Sequence, residues 1–179
     1  RPELQDQLSA LVRAGRPDPA FWQGAEPDAA LDALGMEALR LYPPIGFFLR
    51  ETTADATFRE RELPAGSFVA VAPWTLHRHR KFWKAPDDFA PERWLGGGPP
   101  PARTSYMPFG LGARSCPGAR FAGVEMRVIL RGLLRRVRLT LQPGNRPKPL
   151  GNLTSRPHPE IMLGIAARPR AGDEGAGRE

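Results

Sequence analysis

Leu4, Leu8, Leu11 and Val12 recur at helical spacing, so residues 2–14 are predicted to form a helix. Pro2 suits its opening turn and Gly15 its end. Residues 16–26 read as a Pro/Gly/Asp loop. A second helix is predicted from about Pro27 to Tyr42, where Pro43-Pro44 stops it. Leu31, Leu34, Ala38 and Leu41 lie on one side of it, with Met36 and Leu39 elsewhere. A helix apolar nearly all round is a buried helix. The pattern then shortens to strands at Ile45–Arg50, Thr52–Thr57, Arg59–Leu63 and Ser67–Ala72, with a turn at Pro64-Ala65-Gly66. Together they predict a small antiparallel sheet. Trp74–Arg80 reads as a short helix or turn, and Lys81–Asp88 and Leu95–Arg103 as loops. The strongest helical pattern is Ala119–Arg136, with Ala122, Met126, Ile129, Leu130 and Leu133 as its expected core face. Val137–Leu141 and Glu160–Ala167 read as strands, with loop and turn between them. Residues 169–179, rich in Gly, Arg and Glu, read as a disordered tail. The fold class expected is α+β, mainly α.

Composition narrows this picture. Apolar content of 41% in 179 residues supports a domain with a real core. The net charge of +7 raises nucleic acid as a partner. However, the basic residues are spread along the chain, mostly as arginine, without interleaved aromatics, so no nucleic-acid partner is expected. One cysteine excludes an internal disulfide. The longest apolar runs, such as Phe68 to Trp74, are far too short to cross a bilayer.

The chemistry concentrates in Phe109-Gly110-Leu111-Gly112-Ala113-Arg114-Ser115-Cys116-Pro117-Gly118, which holds that single cysteine and runs directly into the strongest helix. A thiolate at a helix N-terminus is stabilised by the dipole and by free backbone N–H groups, and Arg114 adds positive charge. The glycines allow positive φ and close approach of the backbone to something large and flat. Upstream, Glu37 and Arg40 stand three residues apart on a helix too apolar for a surface pair, so a buried, hydrogen-bonded pair is expected.

The loop string resembles the heme-ligand signature of the cytochrome P-450 family, matched by Phe109, Gly112, Arg114, Cys116 and Gly118. Glu37-Ala38-Leu39-Arg40 is similar to the family's Glu-x-x-Arg, and Pro91-Glu92-Arg93-Trp94 to its Pro-Glu-Arg-Phe, with Trp for Phe. The chain is thereby identified as the C-terminal portion of such a protein over residues 1–168. No segment resembles the family's central oxygen-activating helix. The resemblance implies heme b as cofactor, Cys116 as the axial ligand to iron and catalytic centre, and Phe109, Gly110, Gly112, Arg114 and Gly118 as cofactor-binding residues. Arg50 looks like a second propionate partner, and His77 is either a further one or a structural residue. Glu37, Arg40 and Arg93 would form a structural triad. Ile45, Phe47, Phe48, Leu153 and Thr154 would line the substrate pocket.

The activity implied is a monooxygenase that inserts one atom of O2 into a small apolar organic substrate. Electrons would come from a ferredoxin- or flavoprotein-type reductase docking on the Arg120/Arg127/Arg131 face. The alternatives are a truncated, catalytically incompetent heme-binding fragment, or a peroxide-dependent peroxygenase or isomerase of the same fold. A soluble, cytoplasmic, bacterial protein is expected, with a membrane anchor in further N-terminal sequence as the other option.

Overall fold

The structure, a computed structural model, describes residues 1–15, 26–96, 102, 104–151 and 154–169. In chain order it contains α1 (Pro2–Ala14), α2 (Pro27–Leu41), β1 (Phe48–Glu51), β2 (Ala56–Phe58), β3 (Arg61–Leu63), β4 (Phe68–Val71), α3 (Pro73–Leu76), α4 (Ala119–Arg136), β5 (Val137–Leu141), β6 (Lys148–Gly151), β7 (Ser155–His158) and β8 (Leu163–Ala167). Short 3-10 turns occupy Pro91–Trp94 and Gly112–Arg114.

The three long helices stand where the apolar spacing puts them. In α1, Leu4, Leu8, Leu11 and Val12 are buried, and Gly15 ends the helix in the left-handed conformation at φ 66. Those side chains meet Ala30, Leu31 and Ala33 of α2 and Leu134 of α4 in one core. Polar groups lock the helices at fixed heights. Buried Ser9 donates to the Leu134 carbonyl at 2.7 Å. The Gln5 amide pairs with Leu139 at both its N–H and its C=O, each at 2.8 Å, as a neighbouring strand would. Asp6 bonds Arg138 and Arg168 at 2.8 Å each, and these bonds, led by the one from Arg168, lower its carboxyl pKa.

The predicted single sheet between the helices is two separate ladders. β1 pairs antiparallel with β4, Phe48 opposite Val71, and β2 pairs with β3, Ala56 opposite Leu63. The turn joining β2 to β3 places both Arg59 and Glu60 at positive φ, 46 and 65. Two left-handed central residues match the twist of a tight hairpin, and neither residue is one that sequence reasoning expects there. The stretch expected to be loop after β5 holds a further hairpin, β6 with β7, inside the β5–β8 pair. Residues 170–179, read as a tail, lie outside the described residues.

The core face of α4 is also displaced from the expected one. Leu134 is its buried residue, and Leu130 packs on the same core, whereas Ile129 and Leu133 are exposed together with Phe121, Val124 and Val128. The helix carries two overlapping apolar stripes, and α1 and α2 cover only one of them. Gly35 allows this approach: a Cβ there would stand 3.3 Å from Cε of Met126.

Candidate functional site

The end of α2 holds a buried ionic cluster. Glu37 and Arg40 are fully buried. Arg40 donates to both Glu37 oxygens, at 2.9 and 2.8 Å, and to the carbonyls of His77, Pro86 and Asp88. Arg93 reaches Glu37 Oε1 at 3.1 Å, so the three residues expected to form a triad are in contact. Two donors were not anticipated: the Ala90 N–H and the Trp94 indole N–H, each 2.9 Å from Glu37. Burial pushes the Glu37 carboxyl up, but the bonds from Arg40, Ala90 and Trp94 outweigh it and hold the group below its ordinary value. The sequence signal for Trp94 was present, because Trp in place of Phe adds a donor where a carboxylate is packed.

Trp94 leads from this cluster to the cysteine loop. Its ring lies 4.7 Å from that of Tyr106, whose hydroxyl bonds the Met36 carbonyl. Burial first, and the Glu37 charge second, raise the Tyr106 hydroxyl and keep it neutral. From Tyr106 the chain enters the loop. Gly110 and Gly112 take φ 73 and 74, which only glycine adopts without strain. The Gly110 N–H closes a turn on the Met107 carbonyl at 3.0 Å, and the Cys116 N–H bonds the Phe109 carbonyl at 2.8 Å. Cys116 is thus presented, exposed, three residues ahead of α4. A Cβ at Gly118 would meet its sulfur at 3.7 Å, so glycine there leaves that flank of Sγ bare.

The sulfur opens on a cavity of about 380 Å³. Ile45, Phe48, Arg50, Phe109, Gly110, Arg114 and Cys116 all line it, residues that the sequence places as far as 71 positions apart (Ile45 to Cys116). Pro44, Pro73, Met107 and Pro108 complete the wall and were not anticipated. Arg50 lies over the Phe48 ring, 4.5 Å from its centroid. Among the described residues no carboxylate is in ion-pair range of Arg50 or Arg114, unlike most of the arginines that brace the helices. One exposed sulfur, two unpaired cations and an apolar wall suit a flat apolar macrocycle that carries a thiolate-seeking metal and two carboxylates. A larger cavity of about 440 Å³ shares Met107–Gly110 with this one but holds no cysteine.

The family model for Cytochrome P450 matches residues 30–165. The chain belongs to the cytochrome P450 family. Its relatives include cyclooctatin synthase of Streptomyces melanosporofaciens, 41% identical over 68% of this chain and 27% of that protein. Pentalenene oxygenase of Streptomyces avermitilis is 31% identical over 84% of this chain and 34% of that protein. Among solved structures, the retinoic acid-bound cyanobacterial CYP120A1 superposes with a TM-score of 0.74 at 27% identity, over 90% of this chain and 39% of its own. The cytochrome P450 CYP102L1 also gives 0.74, at 29% identity, over 93% and 39%. The chain therefore spans well under half the length of these relatives. Cytochromes P450 are heme-thiolate oxidoreductases whose cofactor is heme b, and their helices with small antiparallel sheets are the architecture seen here.

Four expectations about the cytochrome P450 site change. His77 is fully buried, with Nε2 accepting from the Met107 N–H at 2.8 Å and Nδ1 against the Arg40 carbonyl at 3.2 Å. Both ring nitrogens are engaged, so none is left for a propionate. Phe47 precedes β1, where successive side chains alternate between faces, and it lines a different groove with Trp74 and Ser155. Thr154 is exposed and does not line the cysteine cavity, while Leu153 lies outside the described residues. Arg127 and Arg131 are not a free docking face. Arg127 bonds Asp32 at 2.8 and 2.6 Å, and Arg131 pairs with Asp28, which ties α4 to α2. Arg120 remains exposed on the first turn of α4. No described helix is long and apolar enough to cross a membrane.

Proposed function

We propose that this chain forms the thiolate side of a heme-thiolate monooxygenase, the C-terminal portion of a longer cytochrome P450. One observation carries the reading: a single cavity gathers the only cysteine of the chain, two guanidinium groups with no carboxylate in ion-pair range among the described residues, and an apolar wall. Cys116 would hold the iron, and Arg50 and Arg114 would pair with the two propionates. Phe109, Gly110 and the loop's other glycines would lie against the ring, and Ile45 and Phe48 would bound the space for substrate. The bound heme supplies O2 activation for insertion of one oxygen atom into a small apolar organic molecule. Cys116 would supply a thiolate donor to the iron, and Phe109, which lines the same cavity, would flank it.

Electrons would come from a ferredoxin- or flavoprotein-type donor. Arg120 is the exposed cation nearest the cysteine on α4, and it replaces the paired Arg127 and Arg131 as the candidate contact. The cytoplasm is the compartment proposed, in keeping with one free cysteine. The test is isotopic. The whole protein, given an apolar substrate, reductant and oxygen-18 O2, should place a single labelled oxygen in the product. Equal product from peroxide alone, without reductant, would assign a peroxygenase instead.

A further inference from the structure

His77 is a buried titratable group that stands apart from the cysteine cavity. It lies in none of the cofactor-lining positions, yet it is completely enclosed and fully hydrogen-bonded. Its two partners belong to different parts of the fold. The Arg40 carbonyl is at the last turn of α2, where helix carbonyls have no intrahelical partner. The Met107 N–H opens the cysteine loop. Because Nε2 faces an N–H donor, it must be the bare nitrogen, and the proton sits on Nδ1, directed at the Arg40 carbonyl.

We propose that His77 is a positioning residue for the cysteine loop. Its neutral ring, protonated on Nδ1, fixes where the segment starting at Met107 stands relative to α2, and thereby where Phe109 and Cys116 stand. Short backbone bonds carry the placement onward. Met107 C=O receives Gly110 N–H at 3.0 Å, and Phe109 C=O receives Cys116 N–H at 2.8 Å. The Tyr106 ring packs on His77 at 5.3 Å and restricts its rotation. A protonated ring would put a donor against the Met107 N–H. Burial opposes that state first, and the neighbouring Arg40 and Arg78 charges add to it, so the ring's pKa falls to about 4. The consequence for catalysis rests on Cys116 being the heme ligand; the placement of the loop does not.

The test compares His77→Phe, which keeps a ring but no polar atoms, with His77→Gln, which keeps a neutral donor and acceptor. Amide hydrogen exchange is followed without heme at Met107, Gly110 and Cys116, and at Leu8 and Leu11 in the core. His77→Phe is expected to speed exchange in the loop at least tenfold beyond any change in the core, and His77→Gln to restore most of it. Uniform acceleration across the molecule, or equal loss in both variants, would overturn the proposal. With heme added, the thiolate-ligated fraction, read from the carbonyl spectrum, should drop in His77→Phe and recover in His77→Gln. Should His77→Phe not fold, nitrogen NMR of the wild-type chain decides: a bare Nε2 coupled across the bond to the Met107 amide is expected, and a proton on Nε2 overturns the assignment. If Cys116→Ser kept the thiolate spectrum, the ligand reading would fail while the exchange result stood.

Discussion

Glu37 is the residue on which most of the buried polar structure converges. Five N–H donors meet its two oxygens, from Arg40 twice, Ala90, Arg93 and Trp94. Removing its charge leaves two guanidinium groups facing each other without a counter-ion, so Glu37→Gln should cost about 3–5 kcal/mol in urea unfolding. Trp94→Phe preserves the stacking on Tyr106 and deletes one bond to a charged acceptor, a cost of about 1.5–3 kcal/mol in the same measurement. Acid acts on this cluster in two steps. His77 titrates near 6.5 in the unfolded chain and at about 4 when folded. The unfolded chain therefore binds the extra proton between those values, and stability drops as pH falls through that window. A gap of about 2.5 pH units corresponds to about 3 kcal/mol. The stability from Glu37, whose pKa is lowered, is present above about 4.5 and is lost as pH falls below it. Unfolding midpoints at about pH 7, 5.5 and 4 should fall progressively in the wild type, and His77→Gln should lose only the upper step.

At the level of elements, α4 does two jobs that its sequence does not separate. Its first turn follows the cysteine loop, and its arginine stripe reads in the sequence as a docking face. The acidic residues of α2 give it another job, since Asp28 and Asp32 face Arg127 and Arg131. These pairs are partly exposed, so Arg127→Gln should cost about 1 kcal/mol or less, and less still in high salt. It should leave the rate of electron delivery unchanged, whereas Arg120→Glu should slow it; stopped-flow reduction distinguishes the two. Helices were legible because one apolar face repeats over several turns in α1 and α2. The α4 face was misplaced because two apolar stripes overlap, and only the position of α1 and α2 selects Leu134 over Leu133. The β2–β3 turn was illegible for a different reason: Arg59 and Glu60 carry no turn signature, and the pairing of the flanking strands imposes their positive φ.

For the whole molecule, the site is made of segments that only the fold brings together. The motif loop was readable because its spacing is local, and so were Glu37 and Arg40 on one helix. The roles of His77 and Phe47 were not, because each depends on which way a short element turns its side chains. In the assembled cavity Cys116 is exposed, so thiol alkylation followed by mass spectrometry should modify it readily, and bound heme should protect it. The most direct test of the account is the reduced carbon monoxide spectrum of the heme-loaded chain. The wild type should show the strongly red-shifted Soret band of thiolate ligation, and Cys116→Ser should lose that band. A red-shifted band that survives in Cys116→Ser would contradict the assignment of Cys116 as the iron ligand.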